Sequence, residues 1–171
     1  ITVGLRSGEH ARGGSNTDGA GRMKPALVVD EVYTSLASPA VASSAALLLD
    51  AADPAHPLAV DPRVIKAILC TAASKDALPA WHRASTATPY DAVYGAGVLN
   101  VRRAYWILNA GRQTYSTSVE RQQRGWDANT TASTNSSRRY FFSIPAGSNG
   151  RTFAATLTWH REISAAFLST L

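Results

Sequence analysis

Short apolar runs open the chain. Ile1-Thr2-Val3-Gly4 and Ala26-Leu27-Val28-Val29 are bounded by turn-forming residues and read as buried strands. A small-sided apolar stretch follows, with Ala40, Ala42, Ser43, Ser44, Ala45 and Ala46 ahead of Leu47, Leu48 and Leu49. It predicts a helix from Ala37 to about Ala52, with Pro39 in its first turn, where the missing N–H costs nothing. Being apolar nearly all round, that helix is expected to be buried. Asp53 to Pro57, with two prolines, breaks the chain. Helical spacing then returns. Val64, Ile65, Ile68, Leu69 and Ala72 share one face, with Asp61 as N-cap and Pro62 at the first position. A third helix has Asn100 as N-cap, a stripe of Val101, Ala104, Tyr105 and Leu108, and Gly111 past its end. Residues 74–97, with Pro79, Trp81 and Pro89, form a long connection expected to lay aromatics over the core. Strands followed by helices predict an α/β layered core.

The pattern changes after Gly111. Gln122 to Ser137 is polar and reads as a linker or long hairpin loop. Arg139–Ser143 and Thr152–Trp159 read as strands, the second alternating Phe153, Ala155, Leu157 and Trp159 with smaller or polar residues, the period of a half-buried sheet. Pro145-Ala146-Gly147-Ser148-Asn149-Gly150 is a strong turn signal between them. Two strands cannot bury a core alone. The expected division is therefore an α/β unit over residues 1–111 and a linker plus truncated β-rich module over residues 112–171.

Composition narrows the function classes. The chain has 171 residues, enough for one ordinary domain or one and a half small ones. Its net charge of +5 comes mostly from scattered arginines: Arg6, Arg12, Arg22, Arg63 and the pairs Arg102-Arg103 and Arg138-Arg139. With no basic block and no nucleic-acid motif, these read as dispersed surface charge, and no nucleic-acid partner is expected. No apolar run is long enough for a membrane span. No signal peptide is visible. Cys70 is the single cysteine, so no intrachain disulfide forms; it falls on the second helix and is expected to be a buried apolar residue. There is no C-x-x-C, no H-E-x-x-H and no EF-hand spacing, so no cofactor or metal site is identifiable. His56, His82 and His160 lack ligand spacing, and Trp81, Trp106, Trp126 and Trp159 lack repeat spacing, which favours core and contact roles over a sugar platform. Asn129-Thr130-Thr131 and Asn135-Ser136-Ser137 match glycosylation sequons, which matter only in a eukaryotic secretory pathway.

The candidate chemistry lies at Thr34-Ser35-Leu36-Ala37-Ser38-Pro39-Ala40-Val41-Ala42. Ser35 stands just before the predicted first helix, beside unpaired backbone N–H groups and the positive end of the helix dipole. A serine hydroxyl is a weak nucleophile that needs a neighbouring base and donors for the oxyanion. Serine before a helix is also a common N-cap, and from the residues alone both readings stand.

That run resembles the serine box of the subtilisin-like proteases (subtilases), G-T-S-x-A-[ST]-P-x-V-A. Four further elements stand in the family's order. Ile1-Thr2-Val3-Gly4 resembles its I-x-V-G-A strand, and Gly21-Arg22-Met23-Lys24-Pro25-Ala26-Leu27-Val28-Val29 resembles G-R-x-K-P-D-I-V-A. Pro62 to Ala73 is similar to the helix ending in a T-A pair, and Tyr94-Gly95-Ala96-Gly97-Val98-Leu99-Asn100-Val101 to Y-G-x-G-x-[IL]-N-[AV]. The resemblance spans about residues 1–110. It implies the C-terminal part of a subtilase parallel-sheet catalytic domain, from a serine endopeptidase that cleaves protein or peptide substrates through an acyl-enzyme. Ser35 would be its nucleophile, with the Ser35 N–H contributing to the oxyanion hole. The family's catalytic Asp and His and its oxyanion Asn precede the I-x-V-G strand. The chain is thus expected to be inert alone and to require an upstream part of the same domain. His10 reads as a solvated loop histidine, and Asp18 and Asp30 lack the family's aspartate setting. The family also implies possible calcium binding and an extracellular or cell-envelope location.

Tyr33 stands where the family has glycine, and Val29-Asp30-Glu31 replaces A-P-G, with the following loop almost gone. Leu36, Ala40 and Ala26 replace a methionine, a histidine and an aspartate of the pattern. The alternative is a degenerate subtilase acting as a non-catalytic structural or protein-binding module. A third reading makes the β-rich tail the functional part, as a surface-binding or adhesive element.

Overall fold

A parallel strand covered on both faces needs an unbroken apolar run, and Leu27-Val28-Val29 is one. In the computed structural model, which describes residues 1–10, 24–76, 78, 80–82, 90–130, 137–147 and 153–160, these three residues form β2 (Leu27–Val29) and are all buried. β1 (Val3–Leu5) lies parallel to it, with Val3 opposite Leu27, Gly4 opposite Val28 and Leu5 opposite Val29. The other edge of β2 is also engaged. Ala96 N–H donates to Ala26 O (2.8 Å), Val28 N–H to Gly97 O (3.0 Å) and Leu99 N–H to Val28 O (2.8 Å), a parallel bridge centred on Val98. Val98 in turn exchanges hydrogen bonds with Ser74 (2.7 and 2.9 Å) on its far side. Gly97 permits this close layering: its φ is +125°, and a Cβ there would stand 2.6 Å from Ser74 O.

Three helices among the described residues pack around this small sheet. α1 (Thr34–Asp50) buries Ala37, Val41, Ser44 and Leu48, a single stripe at helical spacing. The Ser44 hydroxyl, buried on that stripe, donates to Ala40 O at 2.7 Å. Leu36, Leu47 and Leu49 remain exposed. The expected all-round burial of α1 is therefore not met. One stripe meets the sheet and α2, and the described residues supply no layer against the opposite face. A 3-10 turn at Pro57–Val60 leads into α2 (Pro62–Ala72). The Asp61 carboxylate accepts from Arg63 N–H (2.8 Å), the N-cap that the sequence predicts. α3 (Val101–Asn109) is capped in the same way by Asn100, whose side chain accepts from Arg103 N–H (3.0 Å), and Gly111 follows its end with φ +81°.

Leu27, Val28, Leu48, Ile68 and Leu69 form the centre of the core, each side chain fully enclosed. Burial of such a side chain is worth about 1.5–3 kcal/mol before conformational entropy is counted. The same core continues past Gly111. Trp126 is buried beside Leu108 and donates its indole N–H to Leu108 O at 3.2 Å. Arg112 pairs with Asp127 at 2.7 Å, and Gln113 N–H donates to Trp126 O at 2.7 Å, so residues 112–128 are bound to the helical unit.

Beyond that point the expected strands do not form. Arg139–Ser143 contributes only an isolated parallel bridge, Glu120 to Phe141, and residues 153–160 carry no strand pairing. Alternation alone stabilises a strand only when one face has something to pack on. Here Phe153, Leu157 and Trp159 stay exposed. The turn at Pro145–Gly147 is formed, with Gly147 at φ +79°. A long-range hydrogen bond links the last described segment to α2: Thr158 Oγ1 donates to Arg63 O (2.7 Å). The class is mixed α/β. Residues Arg12, Asp18, Gly21, Arg22, Met23, Pro79, Pro89, Asn135, Ser136, Thr152 and 161–171, which carried several of the sequence expectations, lie outside the described residues.

Candidate functional site around Ser35

β2 ends at Val29, and four residues later the chain turns into α1. Tyr33 is the N-cap, with an extended backbone (φ −128°, ψ 144°) and no capping side-chain hydrogen bond. Ser35 is therefore the second residue of the helix, one turn earlier than the sequence reading placed the helix start. It does not cap the helix. The apolar stretch put the start at Ala37; the backbone bonds Leu36 N–H to Tyr33 O (3.0 Å) and Ala37 N–H to Tyr33 O (3.1 Å) begin the turn sooner. Tyr33 needs no left-handed backbone, so the conformational reason for glycine does not apply here. Its side chain is exposed.

The Ser35 side chain is also exposed, and among the described residues nothing hydrogen-bonds its hydroxyl. The N–H groups of Thr34 and Ser35 have no backbone acceptor there either. The first turn of α1 contains no acidic residue. The Thr34 and Ser35 amides and the positive end of the dipole thus lie beside the hydroxyl with no first-turn carboxylate, which suits a developing negative charge. The site offers an exposed hydroxyl and two N–H groups without a backbone acceptor.

It has no base among the chain's histidines. His10 is half-buried and committed on both ring nitrogens: Nδ1 accepts from Leu5 N–H at 3.0 Å, and Nε2 lies 2.9 Å from Val93 O. Both contacts are satisfied together by the Nε2–H tautomer. The ring rests on β1 where a Cβ at Gly4 would come within 2.7 Å of it. The solvated-loop expectation for His10 is corrected: it is a cross-brace between β1 and the segment before Gly95. His56 meets the edge of Trp126 at 6.4 Å between ring centres. His82 Nδ1 lies 2.9 Å from Ala80 O and 3.5 Å from an Asp91 oxygen. His160 stands near enough to Asp61 to help lower its pKa.

Asp91 is the polar residue that sequence reasoning missed. Its carboxylate is buried and accepts from Val93 N–H (2.7 Å), Tyr94 N–H (2.9 Å) and His82 N–H (3.0 Å). Burial opposes its ionisation, yet these N–H donors hold its pKa below the usual value. The available signal was an Asp shortly before a Tyr-Gly pair, the setting of an Asx turn. With three backbone donors on it, Asp91 shapes the loop that delivers Gly95 and Gly97 to the sheet.

Cys70 is buried as expected. Desolvation pushes its thiol pKa up, and a hydrogen bond with Tyr90 accompanies it. Burial likewise raises the Tyr90 phenol. A thiol kept protonated is a poor nucleophile. Among the described residues no three His, Cys, Asp or Glu side chains cluster in a way that could hold a metal ion, and no helix is long and apolar enough to cross a membrane. Comparison of the chain with protein-family models, curated proteins and solved structures finds no match.

Proposed function

We propose that this chain supplies the nucleophile-bearing part of a subtilisin-like serine endopeptidase, with Ser35 as the attacking residue. The observation that carries the reading is the setting of Ser35. Its exposed, unengaged hydroxyl lies in the first turn of α1, directly after the buried central strand β2, with the Ser35 N–H free. The order of the other motifs supports it as well. They fall on β1, β2, α2 and the Val98 bridge, so the serine box and the Tyr94–Asn100 segment flank one parallel strand.

In this reading a base removes the Ser35 proton as Oγ adds to the scissile carbonyl. The negative carbonyl oxygen is received by the Ser35 N–H and a further donor. Expulsion of the amine, protonated by the same base, leaves an acyl-enzyme that water hydrolyses. The base and its orienting carboxylate are assigned to residues outside these 171, because His10, the one histidine that precedes Ser35 in these residues, has both nitrogens occupied. The 171-residue chain alone is then inert.

The test is labelling with a fluorophosphonate probe. The chain itself and a version extended at its N-terminus are each compared with Ser35→Ala. Labelling of the extended version only, abolished by Ser35→Ala, is the expected result. A folded extended version that takes up no label would move the reading to a non-catalytic protein-binding module.

A further inference from the structure

Trp106 is an exposed tryptophan on α3, 42% accessible, and two arginines lie against it. The Arg102 guanidinium is 5.1 Å from the ring centre and the Arg124 guanidinium 5.5 Å. Arg102 and Trp106 stand four residues apart on α3, where side chains on one helix face meet. Arg124 arrives from the segment after Gly111 and closes over the same ring. Cation–π attraction fixes both guanidiniums without using their N–H donors. Among the described residues neither arginine donates a hydrogen bond or meets a carboxylate. The neighbouring Arg103 differs, since Asp76 neutralises it at 3.1 Å. Two guanidiniums on one ring without a carboxylate among the described residues leave positive charge that an anionic partner compensates.

A shallow depression of about 610 Å³ opens beside them, lined by Trp106, Asn109, Ala110, Gln122, Gln123 and Arg124. The Gln123 amide is engaged with Ser143 O at 3.3 Å. The side-chain amides of Asn109 and Gln122 make no hydrogen bond among the described residues. The surface therefore offers two forked cations for carboxylates and two free amides that complement peptide groups. Stacking of a nucleobase on the indole is contested by the guanidiniums already there, which disfavours single-stranded nucleic acid.

We propose that Arg102, Trp106 and Arg124 form a clamp for an acidic polypeptide segment, with carboxylates on the two guanidiniums and the backbone across Asn109 and Gln122. The clamp is independent of any role for Ser35.

The experiment titrates a fluorescein-labelled peptide of alternating Glu and Gly into the 171-residue chain and follows anisotropy at low salt. Near-UV circular dichroism verifies the fold of each variant. Arg102→Gln combined with Arg124→Gln is expected to weaken binding about tenfold or more. Lys66→Gln combined with Arg139→Gln, which removes the same charge elsewhere, is expected to weaken it less than about twofold, the scale of screened surface charge. Arg102→Lys keeps the charge and loses the fork, and an intermediate loss is expected. Equal losses in the two double variants would overturn the clamp in favour of diffuse electrostatics. Tighter binding of a single-stranded oligonucleotide of equal charge would overturn the peptide assignment, and so would no measurable binding of the peptide.

Discussion

Leu69 and Leu157 carry the same side chain into opposite surroundings. Leu69, on α2, is fully enclosed in the core, while Leu157, in the last described segment, is 81% exposed. The contrast extends to the regions around them. Residues 1–111 have a central strand engaged on both edges, side-chain caps on α2 and α3 and a shared core. After Asp127 the described residues are held by one isolated bridge, a few ring contacts and single hydrogen bonds, and their aromatics largely face solvent. Apolar content is therefore a poor guide to where stability lies. A side chain contributes only where topology gives it partners on more than one side.

The sharpest test of that contrast is a matched pair of truncations. Leu69→Ala is expected to cost about 2–5 kcal/mol in urea unfolding, as for other enclosed leucines. Leu157→Ala should stay within about 0.5 kcal/mol. Comparable losses would show that the tail has a core of its own. Glycines give a second pair. Gly97→Ala forces a residue to φ +125° and drives a Cβ into Ser74 O, for a loss of about 3 kcal/mol from strain and overpacking together. Gly147, at φ +79° with open space around it, should lose about 1 kcal/mol at most as Gly147→Ala. Thermal melts of the two variants would rank them.

The smallest expected effect concerns pH. The side-chain hydrogen bond from Arg63 leads the lowering of the Asp61 pKa to about 2, against an ordinary 3.8. A carboxylate with a depressed folded-state pKa contributes stability that is complete above its unfolded value. That contribution is lost as pH falls toward the folded one. Unfolding midpoints of Asp61→Asn should accordingly change less than wild type between about pH 4 and pH 2. An unchanged slope would mean the pair exchanges freely with solvent, which its exposed arginine makes a fair trial.

At Ser35 and His10, local reading and tertiary context diverge in instructive ways. The sequence singled out Ser35 from its neighbours, but its position within the first turn depends on backbone bonds to Tyr33 that no propensity scale contains. His10 looked solvated because glycine, serine and arginine surround it in the chain. Its actual partners are Leu5 and Val93, and the distant one is 83 residues away. Asp91 was overlooked for a similar reason: one aspartate in a polar connection gives no hint that its carboxylate is sealed beneath three N–H donors. The paired arginines at Trp106 are invisible for the same cause, since Arg124 meets the ring only when the chain returns across α3.

What the sequence by itself determined is everything carried by near neighbours. The apolar run of β2, the periodic face of α2, the Ala104 and Leu108 positions of α3 and the caps at Asp61 and Asn100 all follow from interactions within a few residues, whereas Tyr105, expected on the α3 stripe, is exposed. The tertiary structure alone decided which apolar faces found a partner. Among the described residues, one stripe of α1 met the sheet and its other face did not, Trp126 was drawn into the first unit's core, and the alternating residues after Thr152 found no second sheet. Burial is a property of the surface a side chain meets, and that surface is built by segments far away in the chain.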